Sequence, residues 1–134
     1  MKKTKTEQRL KQYNLIEPEI SFLKMEVQTA NEMLDTLENF QITIEEDVRA
    51  KVDERIQRLN TRIEELEKEK TLIEAVIGEL EDPTTKKIFE LKYYSLLVWD
   101  DIAAKVGYSK RQCQRIHADM LNTVIDEKIN ERCR

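Results

Sequence analysis

The sequence predicts an all-α protein: a long N-terminal helical hairpin or coiled coil, followed by a small C-terminal helix-turn-helix domain. Three observations carry this. The 134 residues include only two glycines and two prolines, too few breakers for a loop-rich or all-β fold. Charged residues make up 37% and apolar ones 40%, and the abundant Glu, Lys, Leu and Ile favour helix. Seam residues recur at alternating spacings of three and four from Tyr13 to Leu37 and again from Val52 to Leu80, all apolar but Lys70, as helices burying one stripe require.

The prolines punctuate the chain. Pro18, in "NLIEPEISFL", predicts a soft boundary, because the apolar pattern continues through it. Across it, Tyr13, Ile16, Ile20, Leu23, Val27, Ala30, Leu34 and Leu37 form one seam. "NFQITIEED" breaks the register with β-branched residues, so a loop is expected near residues 39–45. The second seam runs through Val52, Ile56, Leu59, Ile63, Leu66, Lys70, Ile73, Ile77 and Leu80, the a/d repeat of a coiled coil. Lys70 weakens that seam locally and could fix its register. Two packings fit: the segments fold back as an antiparallel hairpin within one chain, or the second pairs with its twin in another. One hairpin buries little, which favours self-association, a dimer first.

Gly78 loosens the end of the second segment, and the boundary at Asp82-Pro83 is firm. Asp82 is suited to cap a helix beginning at Pro83. That helix should reach about Tyr94 with Ile88 and Leu91 inward. A second should run from Trp99 to Val106, end at a left-handed Gly107, and hand over to a third capped by Ser109. Ala103 is small where the second and third helices would cross. Ile102, Val106, Tyr108, Cys113 and Ile116 are the apolar positions, with Cys113 read as a small buried hydrophobe. This spacing is that of a helix-turn-helix. The expected organisation is therefore 1–81 for oligomerisation, 82–121 for the helix-turn-helix, and 122–134 as a helical tail.

Charge divides unevenly. Residues 1–83 carry 13 Lys+Arg against 20 Asp+Glu, net −7; residues 84–134 carry 10 against 7, net +3. The third short helix sorts by face: Cys113, Ile116 and Met120 inward, Lys110, Arg111, Gln114 and Arg115 outward, with Gln112 beside them. Arg pairs with a guanine edge, Gln with adenine, and Lys with guanine or phosphate. These residues crowd the helix N-terminal half, the end that enters the major groove in this motif. The candidate DNA-binding set is Ser109, Lys110, Arg111, Gln112, Gln114, Arg115 and His117. His117 borders the core face, and phosphate contact and packing are both open to it.

Other classes are disfavoured. Cys113 and Cys133 form neither a disulfide framework nor a metal-binding pair, and His117 is the sole histidine, so no metal or other cofactor is expected. There is no Gly-rich phosphate loop and no nucleophile with a histidine base, so an enzyme is not expected. No stretch approaches the roughly 18 apolar residues of a membrane span. "MKKTKTEQRLKQ" lacks the apolar core of a secretory signal, which leaves the cytoplasm as the expected location.

"ELKYYSLLVWDDIAAKVGYSKRQCQRIHADML" resembles region 4 of sigma-70-type factors, and more closely the phage and prophage proteins grouped with ArpU- and RinA-type late transcription regulators. The shared features are "LKYY", "WDDIA", "GYS" and "RIH" with a leucine four residues on, and the likeness covers residues 85–121. The resemblance implies base contacts from Lys110, Arg111 and Arg115, with Gln112 and Gln114 near the DNA backbone. Val98 departs from the pattern, standing where a hydroxyl residue usually caps the second helix. The resemblance implies a regulator of phage or prophage transcription that binds double-stranded DNA as an oligomer, with RNA polymerase a candidate partner and the host cytoplasm its location. The alternatives are a terminase small subunit and a structural coiled-coil scaffold.

Overall fold

The computed structural model describes residues 5–132. The basic start at residues 1–4 and the end of the expected tail at 133–134, Cys133 included, lie outside the described residues. Those described are helical throughout, with no strand: α1 (Lys5–Lys11), α2 (Tyr13–Asn39), α3 (Glu46–Gly78), α4 (Pro83–Tyr93), α5 (Trp99–Val106), α6 (Lys110–Met120), a π-helical turn (Leu121–Ile125) and α7 (Asp126–Arg132). None is long and apolar enough to cross a membrane.

The chain forms two compact units whose limits differ from the expected 81/82 and 121/122 boundaries. A middle unit spans Leu15–Glu69, and a terminal unit joins Met1–Asn14 to Lys70–Arg134. The reason is packing at long range. Leu10 of α1 and Ile73, Val76 and Ile77 of α3 are wholly buried within the terminal unit. Polar links draw the same segments together: Thr6 Oγ1 donates to Asp126 Oδ1 at 2.5 Å, Tyr13 to Glu74, and Asn14 to the Tyr93 carbonyl. Lys128 and Arg132 of α7 both pair with Glu79, holding its carboxyl below the usual range.

In the middle unit the heptad seams account for what burial there is. Ile16, Ile20 and Leu34 on α2 and Ile63 and Leu66 on α3 are buried, and the intervening seam residues are half-buried. Glu38–Arg49 (3.8 Å), Glu26–Arg55 (3.1 Å) and Glu19–Arg62 (3.6 Å) link the helices, numbers rising on α3 as they fall on α2. Such exposed pairs add little stability each, but together they favour one register. The connection lies at 40–45, as the sequence predicts. There Gln41 takes the left-handed conformation (φ 56°) while Ile42 N–H bonds back to the Leu37 carbonyl at 2.9 Å, closing the helix end. Pro18 is no boundary. It sits inside α2 on an exposed position, and the break falls at Gln12 instead. An exposed helix face lets water serve the one carbonyl that proline leaves without its donor.

In the terminal unit, local chemistry sets the helix ends. Asp82 caps α4, accepting from the Thr85 N–H at 2.9 Å and its hydroxyl at 2.7 Å, which keeps the carboxyl below its ordinary range. α4 ends through Leu96 in the left-handed region (φ 57°), with Leu97 N–H bonding to the Leu91 carbonyl at 3.0 Å. Ile88, Leu91, Ile102 and Cys113 form a buried cluster joining α4, α5 and α6, with Trp99, Ala103, Val106 and Ile116 packed around it. Beyond residue 121 the chain continues as helix, running on from α6 through the π turn into α7. Cys113, His117, Leu121, Ile125 and Ile129 are all buried. Their strict spacing of four would drift about 40° per step around an ideal helix of 3.6 residues per turn. One wider π turn takes back part of that drift, keeping all five on one side.

Candidate nucleic-acid interface

The interface rests on how α6 begins. Gly107 adopts φ 78°, and its N–H bonds to the Ala103 carbonyl at 2.9 Å, ending α5 where a Cβ would be strained. Two residues on, Ser109 and Gln112 form a reciprocal capping box. The Gln112 N–H donates to Ser109 Oγ and the Ser109 N–H to Gln112 Oε1, each at 3.1 Å. Both side chains thereby fix the start of α6 while remaining exposed.

The next turns separate two faces. Cys113 is wholly buried, and burial pushes its thiol pKa up, as suits an inert packing residue. Ile116 packs on the same cluster. Lys110, Arg111, Gln114 and Arg115 are exposed. Lys110 Nζ lies 3.6 Å from Asp100 Oδ1, a solvent-facing pair that partly neutralises it. No ion pair or hydrogen bond among the described residues engages the side chains of Arg111, Gln114 or Arg115. Tyr108, expected among the apolar positions, is 41% exposed beside Ser109. It precedes the capped helix, so its ring stands outside the core.

His117 requires a correction. It is 6% exposed, with its Nε2 2.5 Å from the Tyr93 hydroxyl. Its ring stacks on Phe89 at 5.1 Å and meets the edge of Trp99 at 5.1 Å. Burial lowers its pKa to about 4, against a raising effect from Glu7, with Lys92 and Lys11 lowering it further. The ring is therefore neutral near pH 7. Burial also raises the Tyr93 pKa, so the pair is neutral on both sides. The buried imidazole, with its Nε2 engaged by Tyr93, is not presented at the surface, and His117 leaves the candidate set for the core. The aromatic cluster it completes was missed from the sequence, although the four-residue recurrence 113, 117, 121, 125 was a readable signal. Lys92 Nζ sits 4.9 Å over the Trp99 ring, and its pKa is lowered by burial and by Lys11, against Glu7.

Among the described residues, no group of three or more His, Cys, Asp or Glu side chains is placed to hold a metal. No curated protein and no solved structure matches the chain. The model of a family described as a protein of unknown function, DUF722, matches residues 2–127, and the chain belongs to that family.

Proposed function

We propose that this member of the DUF722 family is a sequence-specific double-stranded DNA-binding protein. In this reading α5 and α6 form a helix-turn-helix, with α6 the recognition helix. The observation that carries it is the outer face of α6: Arg111, Gln114 and Arg115 stand exposed and unengaged on a short helix whose opposite side is anchored by Cys113 and Ile116. A side chain that must grip a base edge has to be free of internal partners and rigidly based, and this face is both. Arg111 and Arg115, four residues apart, project one above the other along the helix. Lys110, loosely paired with Asp100, supplies a phosphate contact. Ser109 and Gln112 hold the helix start against the groove.

With the likeness of residues 85–121 to sigma region 4, the reading extends to a phage or prophage transcription regulator in the host cytoplasm, with RNA polymerase as a candidate partner. α2 and α3 act as a helical hairpin that self-associates and brings DNA-reading units together.

The test is selection of binding sites from random duplexes, then affinity measurements over a salt series. Arg111→Ala and Arg115→Ala should each lose about 1–3 kcal/mol at one base-pair position and relax preference there. Affinity should fall steeply as salt rises. Variants that select the parent's sites with undiminished affinity would refute the reading.

A further inference from the structure

α2 carries two apolar faces, and only one is covered. The seam against α3 uses Ile16, Ile20, Leu23, Val27 and Leu34. A second set, Leu15, Phe22, Met25, Met33 and Phe40, recurs at spacings of seven, three, eight and seven, with Thr29 between the two methionines. At 100° per residue these fall on one stripe, turned about 120° from the seam. All five are exposed, from 48% at Met33 to 73% at Phe40. Beside the stripe a groove opens between α2 and α3, floored by Ala30 and Val52 and edged by the Glu26–Arg55 pair.

We propose that this stripe is where a second copy of the chain docks, the two middle units pairing about a twofold axis into a four-helix bundle. This deepens the self-association in the proposed function by naming its surface. The first argument is area. Five long apolar side chains, exposed to this degree, present roughly 600 Å² if each offers about 180–200 Å² in full. A twofold pair would hide about 1,200 Å², the lower edge of what stable interfaces bury. A partner without a matching apolar face would have to bury polar groups against the stripe without hydrogen-bond partners.

The second argument is the state of the middle unit. None of its side chains is among the fully buried ones, all of which belong to the terminal unit. Two helices cannot enclose a core, whereas four can, and an apolar stripe kept to one side over several turns is how bundle helices meet. The third argument is charge. Residues 15–69 carry 7 Lys+Arg against 15 Asp+Glu, net −8, which turns away nucleic acid and anionic membranes. The rim of the groove is a neutral Glu–Arg pair, so an identical face meets no like-charge barrier there. Methionine at two central positions suits a packed helix interface, because its flexible chain fills uneven gaps.

The experiment is sedimentation velocity on the full chain without DNA, over a range of concentrations at physiological ionic strength. The parent should be a dimer. Met25→Glu should raise the dissociation constant on the order of 100-fold or more, since the twofold places two unpaired charges in an apolar interface. Its circular dichroism should keep the parent's helical signal, because Met25 is exposed within the unit. Thr29→Glu, at a polar and exposed position, gives the same reading should Met25→Glu lose helicity. A parent that stays monomeric, a parent larger than a dimer, or a folded variant that stays dimeric each overturns the proposal. The DNA-reading proposal is decided separately, by the arginine variants.

Discussion

The two units spend the same amino acids differently. The terminal unit encloses every fully buried side chain, from Leu10 and Ile73 to Tyr93, Ile102 and Ile129, and the sequence gives it a net charge of +4. The middle unit has none so deeply placed, leaves Phe22, Met25, Phe40 and four other large apolar residues in water, and carries −8. A closed core makes a unit self-sufficient, and its polar face is then free to read something outside. A unit with an open apolar side is unfinished alone, which is what the proposed self-association rests on. The opposite charges fit the proposed division: an acidic unit repels a polyanion, whereas a basic one attracts it.

The largest expected effect comes from opening the closed core. Ile102→Ala removes a wholly buried side chain from the cluster of Ile88, Leu91 and Cys113 and should cost about 2–5 kcal/mol. Leu59→Ala, at a half-buried seam position of the middle unit, should cost about half as much or less, because water already reaches it. Trp99 is the only tryptophan and lies in the terminal unit, so its fluorescence follows that unit while circular dichroism follows all the helix. Denaturation by both probes separates the units. Coincident transitions in the parent, with equal losses in the two variants, would erase the distinction drawn between them.

The next effect is a pH dependence confined to the terminal unit. The folded His117 has its pKa lowered to about 4 from 6.5, so the unfolded chain binds the proton more tightly. Stability is then full above pH 6.5, falls as pH drops through that value, and stops falling from this cause near pH 4. The whole shift corresponds to about 3 kcal/mol, with roughly half lost by pH 5, above the range of most carboxylates. His117 is the only histidine, so a substitution at this one position isolates the imidazole's contribution. His117→Gln, which keeps an acceptor for the Tyr93 hydroxyl, should flatten the Trp99-detected stability between pH 6.5 and 5. An unchanged slope in the variant would mean the imidazole is not held neutral by the core.

What the sequence revealed follows the reach of the interactions involved. The Asp82-Pro83 start, the Gly107 turn and the Ser109 cap each depend on neighbours within four residues, and α5 and the start of α6 fall where those residues place them. The α2 and α3 seams were legible because helical periodicity is repeated many times. The division into units was not. It depends on Leu10 and Thr6 finding partners more than sixty residues away, and no local pattern encodes that pairing. The exposure of Arg111, Gln114 and Arg115 was legible, because their face is opposite an apolar one on the same helix. His117 stayed open between phosphate contact and packing, since a residue on the margin of that face allows both, and only the long-range approach of Phe89, Tyr93 and Trp99 encloses it.

The smallest expected effect lies at the least secured helix start of the terminal unit. Val98 occupies the N-cap of α5 with φ −74° and ψ 160°, the extended geometry of a good cap, yet makes no side-chain capping bond. Both neighbouring starts are capped, at Asp82 and Ser109. Asp100 and Asp101 in the first turn ease the helix dipole but do not replace the missing acceptor. Val98 is 61% exposed, so replacing it sacrifices little burial. Val98→Ser should therefore stabilise the terminal unit by roughly 0.5–1 kcal/mol, its hydroxyl accepting from the N–H of Asp100 or Asp101. The gain should appear in Trp99 fluorescence unfolding and leave the dimer dissociation constant where it was, because the substituted residue lies outside the middle unit. Val98→Ala is the control, removing the valine without adding an acceptor. Equal stability in the serine and alanine variants would show that the carboxylates of the first turn already supply all the capping that α5 uses.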